Sequence, residues 1–94
     1  MNNISVDIGR ICFSNQGRDK DKCFAIVGII DDNYVWIADG VTRKLSSPKK
    51  KKLKHLDLKP VVLESIANKL IENKKVFDSE LRSAIQNTQY FKKV

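Results

Sequence analysis

Nucleophilic catalysis needs a thiol or hydroxyl with a base beside it, and this chain offers two thiols, Cys12 and Cys23, and a single imidazole, His55. Both cysteines lie inside apolar runs, "GRICFS" (9–14) and "CFAIVGII" (23–30). There a free cysteine behaves as a small buried hydrophobe. His55 stands apart from both, in a run of lysines. With a lone histidine and no CxxC spacing, no zinc site is expected. Asp31 and Asp32 are adjacent carboxylates, and turn formation explains them fully. No GxSxG, HExxH or Walker-type segment occurs. The expectation is a chain that is not an enzyme and holds no metal and no cofactor, with two structural thiols.

The chemistry that the sequence does concentrate is positive charge. Arg43, Lys44, Lys49, Lys50, Lys51, Lys52, Lys54 and His55 fall within 13 residues. Residues 1–42 hold four basic and six acidic groups, residues 43–59 eight and one, and residues 60–94 six and four. The net charge of +7 is therefore a patch and not a background. Ammonium and guanidinium heads suit phosphate oxygens, and such contacts dominate affinity for nucleic acids. Contacts to a protein or another polyanion, and plain solvation, are the competing explanations. An anionic membrane surface would require an apolar face beside the charges, and the run offers only Leu53 and Leu56, so no membrane partner is expected. A second basic group, Arg18, Lys20 and Lys22, sits in "SNQGRDKDKC" (14–23) with Asp19 and Asp21. If the two groups meet at one rim of the fold they form a single positive surface, with the two aspartates ordering the loop.

The elements that must position these groups are short. Residues 9–14 and 23–30 read as strands, the second apolar on both faces and interrupted by Gly28, a candidate bulge. "YVWIA" (34–38) alternates as a third strand, and "DG" (39–40) signals a hairpin. A fourth strand is expected at 41–47, ended by Pro48, and a short fifth at 49–56. Close spacing and tight turns suggest a small all-β barrel, with an open meander backed by helices as the alternative. After His55, Pro60 suits a first helical position. Leu63, Ile66, Ala67 and Leu70 then make a helical stripe. Asp78 reads as the N-cap of a second helix carrying Leu81, Ala84, Ile85 and Thr88, closed by Lys92 and Lys93. The expected division is a barrel over 1–58 and a helical extension over 59–94, packed on or beside it. No secretory leader and no run of about 20 apolar residues is visible, so a cytoplasmic monomer is expected.

"GRICFSNQGRDKDKCFAIVGI" (9–29) resembles the KOW motif, an RNA-binding element of ribosomal proteins and transcription elongation factors. Gly9 and Ile11 match its start, Gly17, Arg18, Asp19, Lys20 and Lys22 its loop, and Phe24, Ile26 and Val27 its second strand. The continuation "IIDDNYVWIADGVTRKL…PKKKKLKHL" is similar to single-barrel KOW proteins of the archaeal and eukaryotic large-subunit type and their short bacterial relatives. The resemblance, over about residues 6–56, implies an SH3-like barrel; with the helical stripes beyond it, the expected fold is mostly β with an α tail, a five-stranded barrel followed by a helical hairpin. The resemblance also implies a non-enzymatic role in translation, contacting structured RNA, ribosomal RNA foremost, through the basic loop and lysine-rich segment. Gly9, Gly17, Asp19 and Asp21 would shape the loop. Docking on ribosomal or other translation or transcription proteins, through barrel or tail, is the alternative. One departure stands out: Asp21 occupies a position where the motif carries glycine.

Overall fold

The structure, a computed structural model, describes residues 4–90. Five antiparallel strands, β1 (Arg10–Ser14), β2 (Cys23–Ile29), β3 (Tyr34–Ala38), β4 (Lys49–Lys52) and β5 (Leu56–Val62), form one sheet in the order β4-β3-β2-β1-β5. Two helices follow, α1 (Glu64–Ile71) and α2 (Asp78–Gln86). The chain is thus mostly β with a helical tail, as its residues imply. Cys12, Phe24, Ile26, Val35, Ile37 and Leu56 fill the interior about which the sheet curls. On the outer face, Ile11, Ala25 and Ala38 stand in one cross-strand row. They are buried against Leu63, Ile66, Leu81 and Ile85 of the helical segment. β2 is apolar on both sides because one side lines the barrel and helices cover the other. The register shift between Ile26 and Gly28 is the expected bulge.

Four local expectations are corrected. The run 49–56 is not one strand: β4 ends at Lys52, the 3-10 turn Leu53–His55 follows, and β5 begins at Leu56. Residues 41–47 form no strand. The Asp39 carboxylate accepts the N–H groups of Val41 (2.8 Å) and Arg43 (2.9 Å) and the Thr42 hydroxyl (2.8 Å). The Leu45 N–H donates to Asp78 Oδ1 at 2.8 Å. These side chains capture donors that a sheet ladder would have used. Pro60 opens no helix and lies inside β5, an edge strand that carries the sheet on to Val62. It coincides with the register shift opposite Arg10–Cys12, where its missing N–H is tolerated. Asp78 is the first helical residue rather than the N-cap, which is Phe77. Its carboxylate holds Leu45, while Glu80 reaches back to the Phe77 N–H at 3.1 Å. Lys92 and Lys93 lie outside the described residues.

Candidate nucleic-acid interface

The loop between β1 and β2 is closed at its base by backbone bonds from Asp21 N–H to Ser14 (2.7 Å) and from Ser14 N–H to Lys22 (3.2 Å). Inside it runs a single 3-10 turn, Gly17–Asp19. Two residues take the left-handed conformation, Gly17 at φ 76° and Asp21 at φ 70°. Aspartate is among the few residues that visit this region, so the chain makes at Asp21 the turn that a glycine would make freely.

Asp19 points inward and is only 4% exposed. Its Oδ2 accepts Lys49 Nζ at 2.9 Å and Arg43 Nη2 at 3.3 Å. The Lys49 hydrogen bond, aided by Arg43, holds its carboxyl below the ordinary 3.8 against the opposing effect of burial. Lys51 is 8% exposed, and its Nζ donates to the Gln16 carbonyl at 3.1 Å. Burial and the neighbouring Lys49 charge lower its pKa. Two lysines therefore clamp the loop to β4, and Arg43 ties it to the segment before that strand.

Strand alternation explains which lysines do this. Lys49 and Lys51 pair with Ile37 and Val35, whose side chains face the interior, so both point across the barrel mouth to the loop. Lys50 and Lys52 pair with Trp36 and Tyr34 and stand on the outer face. There Lys50 Nζ lies 4.7 Å from the centre of the Tyr34 ring and Lys52 Nζ 6.0 Å. A run that reads as four equivalent exposed cations is two inward and two outward.

Arg18, Lys20 and Lys22 are exposed on the loop, and Lys44 and Lys54 are exposed beyond it. Lys22 and Asp21 also line a shallow cleft with Phe13, Cys23, Arg82 and Tyr90, on the side toward α2. His55 is half-buried in the 3-10 turn Leu53–His55, and its carbonyl accepts the Asn15 N–H at 3.0 Å. Gly9 is not in the loop. It precedes β1, where the Leu63 N–H donates to its carbonyl at 2.8 Å and a Cβ would lie 2.9 Å from Ala67 Cβ. Tyr34 and Trp36 escape a reading of the sequence as site residues. Their only signal is β3 alternation, and their lysine neighbours come from another strand.

Nothing beside either thiol favours its thiolate form. Burial raises the pKa of Cys12, and burial followed by the Asp39 charge pushes that of Cys23 up to about 11. Among the described residues no group of three His, Cys, Asp or Glu could hold a metal ion, and no helix is long and apolar enough to cross a membrane.

No family model matches the chain. Among curated proteins, it is similar to the large ribosomal subunit protein eL14 of Sulfolobus acidocaldarius, with 31% identity over 85 residues, 89% of this chain and 80% of that protein. The same protein of Saccharolobus islandicus strain L.S.2.15 is 31% identical over 91 residues, 94% of this chain and 88% of its own. That of Desulfurococcus amylolyticus is 38% identical over 55 residues, covering 56% and 55%. The first two alignments span barrel and helical tail together, and the SH3-like architecture agrees with the KOW resemblance of residues 9–29, so the chain belongs to the family of large ribosomal subunit protein eL14.

Proposed function

We propose that this chain is a non-catalytic structural component of the large ribosomal subunit that binds ribosomal RNA through the rim shared by the β1–β2 loop and β4. The observation that carries this reading is the Asp19 clamp. It spends Lys49 and Arg43 on one buried carboxylate, while Arg18, Lys20, Lys22, Lys44 and Lys54 have no carboxylate partner among the described residues. Exposed cations on a loop whose backbone is already fixed suit an RNA backbone, because the loop itself need not be ordered on binding. Lys51 serves this surface indirectly, by holding the loop through Gln16. Family membership supports the same partner.

The test is binding to large-subunit ribosomal RNA across a salt series. With about five phosphate contacts, log affinity falls against log salt with a slope near ~−4. Exchanging Arg18 and Lys20 together for glutamate weakens binding at least roughly tenfold and leaves the unfolding midpoint in place. A salt-independent affinity, or wild-type affinity in the double variant, overturns the proposal.

A further inference from the structure

The outer face of the sheet is covered at one end only. Ala38 is packed under the helices, yet Trp36 and Tyr34, two and four residues earlier on the same face of β3, are not. Trp36 is 38% exposed. Tyr34 is engaged by Lys50 and Lys52, whereas the indole has no ring or cation partner among the described residues. It lies across Gly28 of β2, where a Cβ would come within 2.9 Å of Trp36 Cδ1. Gly28 thus clears the space that lets the ring rest against the sheet. Asp31, at the neighbouring turn, spends Oδ1 on the N–H groups of Asn33 and Tyr34. The outward groups at the β3–β4 end of this face are aromatic and positive, and the exposed carboxylates of Asp31 and Asp32 border them at the β2–β3 turn.

We propose that Trp36 and Tyr34, with Lys50 and Lys52, form a second RNA-contacting surface that stacks an unpaired base on the indole and holds its flanking phosphates with the two lysines. This rests on the ribosomal RNA reading above and adds the kind of RNA: a single-stranded element, since bases inside an A-form helix offer no face for stacking. Every base has a π-face that an aromatic platform accepts, and cations beside the platform track the backbone. Lys50 and Lys52, two residues apart on one strand, stand roughly 7 Å from each other along it, a spacing that serves successive phosphates. The fit is electrostatic as well as geometric, because a partner presenting cations would be repelled here.

Trp36 is the only tryptophan of the chain, so its emission reports on this surface directly. The experiment titrates the full protein with a dye-labelled decamer of unpaired adenylate and, separately, with an RNA duplex of equal length. Dye anisotropy follows binding and indole emission follows stacking. The single strand is expected to quench Trp36 with the same midpoint as the anisotropy change, whereas the duplex binds without quenching. Trp36→Leu is expected to weaken single-strand binding about tenfold or more and to leave duplex binding unchanged. Should that variant fold poorly, quenching of the wild-type protein decides alone. Single-strand binding with unaltered Trp36 emission overturns this surface and leaves the ribosomal RNA reading intact. Absence of single-strand binding while ribosomal RNA still binds overturns this surface alone, and absence of binding to ribosomal RNA overturns both. Quenching by a polyglutamate peptide but not by RNA overturns the RNA assignment in favour of an acidic protein partner.

Discussion

At the scale of one residue, Asp21 shows what a departure from a motif costs. The KOW pattern has glycine there, and this chain adopts φ 70° with an aspartate in its place. The left-handed region disfavours most side chains by about 1–2 kcal/mol, less for Asp and Asn. Asp21→Gly should therefore raise stability by only about 0.5 kcal/mol, since relief of strain is partly offset by the entropy of glycine. Asp21→Val should lower it by about 1–2 kcal/mol, because a branched Cβ is poorly tolerated at positive φ. Urea unfolding followed by Trp36 emission ranks the three proteins. A valine variant as stable as the parent would contradict the left-handed turn. The sequence names Asp21 as the unusual residue, and its exposed side chain explains why it persists: only the backbone is constrained.

At the scale of elements, loop and β4 behave as one unit through Asp19, which no reading of spacing could show. Residue types announce a basic loop and a lysine run, but the inward direction of Lys49 and Lys51 depends on pairing with β3. Nor could spacing reveal that Asp39 and Asp78 would capture the donors of residues 41–47. Long-range carboxylate contacts leave no periodicity. The clamp predicts an acid response of definite sign. The folded-state pKa of Asp19 is depressed, so its contribution is complete above the unfolded value near 3.8 and is lost as pH falls through the lower folded value. Asp19→Asn should cost about 1–2 kcal/mol at neutral pH, a modest figure because Lys49 and Arg43 remain partly exposed. The difference from wild type should shrink below about pH 4. Urea unfolding of both proteins between pH 2 and 7 checks it, and a gap independent of pH would remove the ionised carboxylate from the clamp.

At the scale of the molecule, the stripe Leu63, Ile66, Leu81 and Ile85 is legible as helical, but its destination is not. Two-sided apolarity in residues 23–30 favours closure into a barrel, but β4 and β5 are the two edges of the sheet and the helices cover its second apolar side. The chain curls about Phe24, Ile26, Val35 and Ile37 and lays its helices over Ile11, Ala25 and Ala38. The helices therefore complete the core, and one cooperative unit is expected rather than a barrel with an appendage. Leu81 is fully buried in α2, far along the sequence from the barrel's tryptophan. Leu81→Ala should cost about 2–5 kcal/mol, a large share of what a domain of this size has. Because the cost falls on a shared core, the barrel must feel it. Trp36 emission and far-ultraviolet circular dichroism should shift to the same lower midpoint. A variant that loses helical signal first while Trp36 emission keeps its wild-type transition would show that the barrel stands without the tail.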